Sequence, residues 1–283
     1  MRPRYFKVAG HPFQVIAGDF PLENYRPFEF TPGPGDALIF SLEVRQEPPE
    51  IEFAEDARQV EENQEIICGK TPSGESVFEF HCEGRKAGTL VCDGTYQKGC
   101  LYFYPQPFFQ KFVLDNSLMT LFALSTACKN TALFHAAAVT LENRGYMFLG
   151  ESGTGKSTHA RLWQSCLGAA LLNDDNPVVL LEDDGIWVYG SPWSGKTACY
   201  KNLRVKLFAM VDLVQAKENS IASLEGLDAY STLVNSISGM RWEKVLADGI
   251  HETENRLVQE IRMYRLGCLP DEDAARICYR GVL

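Results

Sequence analysis

Gly150-Glu151-Ser152-Gly153-Thr154-Gly155-Lys156-Ser157-Thr158 is the stretch that decides the fold, because an apolar run at 146–149 leads into it and an amphipathic segment follows from Ser157. Its first eight residues fulfil G-x-x-x-x-G-K-[ST], the phosphate-binding loop set between a strand and a helix. Glycines admit backbone angles that a Cβ forbids, so successive N–H groups can converge on phosphate oxygens. The helix that follows adds the partial positive charge of its N-terminus. Lys156 is expected to reach the β- and γ-phosphates, and the Ser157 hydroxyl to ligate Mg²⁺ or Mn²⁺. Gly150, Glu151, Ser152, Gly153, Thr154, Gly155, Lys156, Ser157 and Thr158 are thus the expected nucleotide-binding residues, for ATP with GTP as the alternative. A chance glycine-rich turn would seldom come with a strand before it and a helix after it.

Working outward, the apolar run 169–172 ends on Asn173-Asp174-Asp175-Asn176. Adjacent carboxylates at a strand end point to different faces, so one can hold a metal while the other orients or deprotonates a hydroxyl. The flanking asparagines equally suit a solvated turn, and the place of the pair after the loop and its helix weighs for function. Asp183-Asp184, just before Gly185, reads as a turn. His135 lies upstream in a small apolar segment, where a lone histidine is more often a hydrogen-bonded core residue than an acid or base. A second match to the loop pattern, Gly190 to Thr197, fares worse. Pro192 lacks an N–H and Trp193 puts bulk inside the cradle. That segment is expected to be a loop near the site, with Lys196 either touching a phosphate or acceptor or simply exposed.

The 283 residues suffice for two modest domains, placed at 1–115 and 116–283. In the first, short apolar or alternating runs separated by Gly, Pro and acidic turns predict antiparallel sheet. The Glu- and Pro-rich stretch 46–65 reads as a surface edge or loop. Asp115 is expected to cap a helix over 116–124. In the second, Asn143-Arg144-Gly145 predicts a hairpin, giving the strand that feeds the loop an antiparallel neighbour. A helix is expected from Ser157 to Gly168, then strands with a hairpin at Asp184-Gly185. Helical periodicity is read from Val205 onward, notably at 233–239 and 251–264.

A net charge of −10 disfavours nucleic acid and anionic membrane as partners, and no stretch approaches the roughly 20 apolar residues of a bilayer span. The nine cysteines are odd in number and contain no C-x-x-C pair. A zinc site from His81, Cys82, Cys92 and Cys100 would not match paired-ligand spacings. The N-terminal MRPRYFKVAG lacks the apolar core of a secretory signal, so a reduced cytoplasmic protein is expected.

Three segments in order, FHAAAV (134–139), GESGTGKST (150–158) and LLNDD (171–175), resemble the HPr kinase/phosphorylase family, itself related to the phosphoenolpyruvate carboxykinases. The closing LGCLPDEDAARICY (266–279) is similar to that family's C-terminal segment, and the resemblance covers about 130–280. It implies an α/β fold with a mixed sheet of the carboxykinase type, here preceded by a β-rich domain. It also implies ATP-dependent transfer to a hydroxyl, serine foremost, of a protein, peptide or small molecule. By the resemblance Asp174 is the catalytic carboxylate and Asp175 its metal partner, with the two roles exchangeable, and His135 sits beside them as a catalytic residue that tunes or orients the pair. The stretch used for reverse phosphorolysis is not found, and residues before 115 share no traceable resemblance. A nucleotide-dependent regulatory protein or a simple NTPase, each without an acceptor, stays open as the alternative, and a homo-oligomer is compatible with either.

Overall fold

The computed structural model describes residues 2–46, 49–61, 63–104, 109–195 and 197–283. The chain divides into two compact units, Met1–Ser125 and Thr126–Leu283. The division falls after the helix expected to open the second domain: α1 (Gln110–Thr126) lies almost wholly in the first unit. Asp115 is not its cap. Its carboxylate lies within the helix and accepts from Asn24 Nδ2 (3.1 Å), Tyr25 OH (2.7 Å) and Lys111.

The first unit holds a mixed eight-stranded sheet. Its strands are β1 (Arg4–Val8), β2 (His11–Ile16), β3 (Phe40–Gln46), β4 (Ala54–Glu61), β5 (Gln64–Lys70), β6 (Ser76–Cys82), β7 (Arg85–Cys92) and β8 (Lys98–Phe103). Their spatial order is β1-β2-β3-β8-β7-β6-β5-β4. The expectation of purely antiparallel pairing fails at β2–β3 and β3–β8, which are parallel. Parallel neighbours need a crossover of a dozen or more residues, and the stretches 17–39 and 47–97 supply it. The acidic stretch read as an edge or loop contributes β4, the sheet's edge, where Arg58 pairs with Glu55 and Glu65. Such charges discourage association through an unpaired strand edge. Gly88 and Gly99 let α1 approach the sheet: a Cβ there would meet Val113 at 2.4 Å and Leu121 at 2.8 Å.

The second unit runs β9 (Thr131–Leu133), β10 (Ala137–Leu141), β11 (Arg144–Leu149), α2 (Lys156–Leu167), β12 (Ala170–Asn173), β13 (Val178–Glu182), β14 (Gly185–Tyr189) and β15 (Arg204–Gln215). It closes with β16 (Ser220–Ser223), α3 (Gly226–Ser236), α4 (Lys244–Glu260), β17 (Arg262–Cys268) and α5 (Glu272–Val282). Its mixed sheet follows β12-β10-β11-β15-β14-β13-β9, with β17 also beside β15 and β16 beyond it. The expected hairpin joins β10 to β11, turning on Glu142 and Asn143 at φ 52° and 58°. Those left-handed angles match the twist that two-residue hairpins require. A second hairpin joins β13 to β14 across Asp183 and Asp184.

The helical reading from Val205 is overturned at both ends. Residues 204–215 form the longest strand among the described residues, and 262–264 leave α4 for β17. A strand buried on both faces reads as a nearly continuous apolar run, which periodicity cannot tell from a buried helix. This long strand also forks the sheet: β14 pairs with 204–206 and β17 with 209–215 on one flank, while β11 takes the other. Tyr146, Phe148, Trp163, Val211 and Cys278 form the core beneath α2 and α5. No helix among the described residues is long and apolar enough to cross a membrane.

Candidate functional site

Strand register brings the expected residues to one rim of the second unit. β11 ends at Leu149 and opens into the loop. β10 runs antiparallel beside it with Ala137 opposite Phe148, so His135, two residues before Ala137, comes level with Gly150. β12 is antiparallel to β10 with Asn173 opposite Ala138, so Asp174 and Asp175 leave the sheet at the same end. Neighbouring strands stand about 4.8 Å apart, which sets the acidic pair roughly 10 Å from the start of the loop.

The loop has a left-handed backbone at Gly150, Gly153 and Gly155, with φ of 131°, 81° and 103°. A Cβ on Gly150 would also crowd Leu213 O and Thr154 Oγ1, both at 2.9 Å. Thr154 Oγ1 donates across the loop to Glu151 O (2.8 Å). Lys156 is buried, and its Nζ donates to Gly150 O (2.8 Å) and Glu151 O (3.0 Å), folding the ammonium over the loop's own carbonyls. α2 begins at Lys156 behind Gly155 with no side-chain cap, so its first-turn N–H groups face the loop mouth together with the Ser157 and Thr158 segment. Glu151, Ser152 and Gly153 are exposed. Thus the nine expected residues form one strand-loop-helix turn.

The two aspartates occupy different surroundings. Asn173, which spoke for the alternative of a solvated turn, is fully buried. Its Oδ1 accepts from the N–H groups of Asp175 (2.9 Å) and Asn176 (2.8 Å), and its Nδ2 donates to Ser191 Oγ and Trp193 O, each at 3.0 Å. Asp174 is 4% exposed and its Oδ2 accepts from Thr197 N (3.1 Å). The side chain of Asp175 is 32% exposed, with Oδ1 3.3 Å from His135 Nδ1, itself 43% exposed. Asn176 Nδ2 steadies the other oxygen, and Ala136 N donates to Asp175 O. His135 is therefore not the enclosed core histidine that its apolar neighbours suggested.

In the second pattern match, residues 190–195 and Thr197 form a loop wrapped on this pair and no phosphate cradle. Trp193 and Ser191 are buried, Gly195 lies against Asp175, and no helix follows. Lys196 lies outside the described residues. Three further features escaped the sequence reading. Asp212, in register with Leu149 on β15, binds Arg265 Nε at 3.0 Å, leaving a half-exposed guanidinium two strands from the loop. His159 is buried in α2, where its Nε2 accepts from Trp163 Nε1 (3.0 Å), and burial pushes its pKa down to about 4. Asn173 is the third, and an Asn directly before the acidic pair was its only signal.

Among the described residues no cluster of three or more His, Cys, Asp and Glu is arranged as a metal site. The donors at the rim are two carboxylates and a hydroxyl, hard oxygen ligands of the kind Mg²⁺ and Mn²⁺ take alongside phosphate oxygens and water. The donor set fits such an ion. No protein-family model matches this chain, and no curated protein matches it in sequence.

Proposed function

We propose that this protein is an ATP-dependent phosphotransferase of the HPr-kinase-like, carboxykinase-type P-loop kind, phosphorylating a hydroxyl, serine foremost, in the cytoplasm. The observation that carries the reading is the common rim. A glycine-rich cradle with a buried lysine and a carboxylate–histidine pair leave neighbouring strands at the same end.

The loop amides and the start of α2 grip the β- and γ-phosphates, and Lys156 exchanges its carbonyl contacts for phosphate oxygens. A bound Mg²⁺ or Mn²⁺, held by Ser157 and a carboxylate, would neutralise phosphate charge. The acceptor oxygen forms a bond to the γ-phosphorus as the bond to the ADP oxygen breaks, and the hydroxyl proton passes to a carboxylate. Of the two aspartates, Asp175 is the more open and has His135 against it, which favours it as the proton acceptor. Asp174, enclosed and fixed by Thr197 N, suits the metal. The geometry therefore favours the exchanged assignment over the one with Asp174 as base. Catalysis is positioning and electrostatics.

Incubation with γ-labelled ATP and Mg²⁺ in a native lysate tests this. Wild type is expected to label an acceptor that Lys156→Ala does not. Asp175→Asn should slow transfer about 10²–10⁴-fold while nucleotide binding persists. Wild-type transfer by either variant would defeat the proposal, and phosphate release that needs no acceptor would favour a hydrolase.

A further inference from the structure

The three mutually parallel strands β11, β15 and β17 carry a second site at their opposite ends, away from the rim. A hollow of about 410 Å³ is lined there by Arg144, Lys206, Leu207, Phe208, Glu260 and Arg262, among others. Leu207 and Phe208 are the pair at the fork: β14 pairing stops at Lys206 and β17 pairing starts at Ala209. On the other flank Gly145 faces Leu207 and Tyr146 faces Ala209, so Phe208 is the extra residue of a bulge. Bulges re-aim side chains. The Phe208 ring meets Tyr146 edge-on at 5.5 Å, and two guanidiniums lie over it, Arg144 Cζ at 4.5 Å and Arg262 Cζ at 4.3 Å from its centroid.

Stacking uses the flat face of a guanidinium and leaves its N–H edge for an acceptor. Among the described residues neither Arg144 nor Arg262 has a carboxylate oxygen within 4.0 Å. Glu260, the one acid lining the hollow, pairs instead with Arg256 at 3.3 Å. Lys206 anchors its ammonium on Asp184 O (2.8 Å). Three cations against one carboxylate form a positive concavity on a chain whose net charge is −10. Concave patches of one sign concentrate counter-ions.

We propose that this hollow binds a small phosphate-bearing anion, inorganic phosphate or a phosphomonoester, at the N–H edges of Arg144 and Arg262 with Lys206 alongside. Its volume suits a small ligand, and the paired guanidinium edges suit oxyanions that accept two parallel hydrogen bonds.

The test is calorimetric titration of inorganic phosphate, at ionic strength fixed with chloride, into the full chain carrying Lys156→Ala to weaken the loop as a competing phosphate site. Saturable binding is expected, weakened about ten-fold or more when Arg144→Gln and Arg262→Gln are added, since each loses a charge-assisted hydrogen bond. Glu260→Gln should tighten it about two- to five-fold, the worth of one exposed charge, a gain that misfolding cannot mimic. A phosphomonoester competitor that displaces phosphate at lower concentration would identify the ester as the ligand, and one that does not would identify free phosphate. No saturable binding, or equal affinity in the double-arginine variant, overturns the proposal.

Discussion

His159 shows how far one side chain can be read from its surroundings. It lies on α2 just past the phosphate loop, enclosed with Trp163 and edge-on to Phe148. Burial holds its folded pKa near 4, below the value of about 6.5 in an unfolded chain. Between those values the unfolded state binds a proton that the native state refuses. Stability is therefore full above about pH 6.5 and declines as pH falls toward 4, by up to roughly 3 kcal/mol. His159→Gln should flatten that part of the pH–stability curve, as followed by urea midpoints from pH 7 to pH 4.5; identical slopes in both proteins would refute the assignment. At this scale Lys156 and Ser157 are legible because their motif is contiguous. The clasp of Asn173 is not, because its partners Ser191 and Trp193 lie 18 and 20 residues away.

Among elements, hairpins and the loop-borne helix announce themselves through local turn chemistry. Gly168, at φ 74°, ends α2 as the sequence indicates. What misleads is burial: β15 hides its strand character in an unbroken apolar run, and α1 starts five residues before the aspartate that seemed to cap it. The strap made of residues 190–195 and 197–203 is the least legible part, since tertiary bonds shape it. Gly190 begins it with N donating to Leu203 O (3.0 Å), and a Cβ there would fall 2.1 Å from Lys201 O. Gly190→Ala is expected to destabilise by about 2–3 kcal/mol, as overpacked sites do. Its effect should spread to Asp174, which Thr197 of the same strap holds. Gly195→Ala, whose nearest contact would be 3.3 Å, should be milder; equal denaturation midpoints for the two variants would count against this account.

Taken whole, the chain divides into two compact units, and every residue assigned to the rim belongs to the second. Residues 126–283, expressed alone, are expected to melt cooperatively and to retain nucleotide binding, as circular dichroism and a fluorescent ATP analogue would show. A fragment without a transition would mean that the second body depends on the first. The change of composition near 115 signalled two domains, but it could not assign α1, because a helix that fills a groove over Gly88 and Gly99 declares its partner only in three dimensions.

Strands in a sheet rotate against each neighbour by about 20–25°. β14 and β17 share one flank of β15, and a wedge opens at Leu207 and Phe208, where the first pairing has ended and the second has not begun. The cleft beside Phe208 is in that sense a product of strand pairing, set by where β15 changes partner.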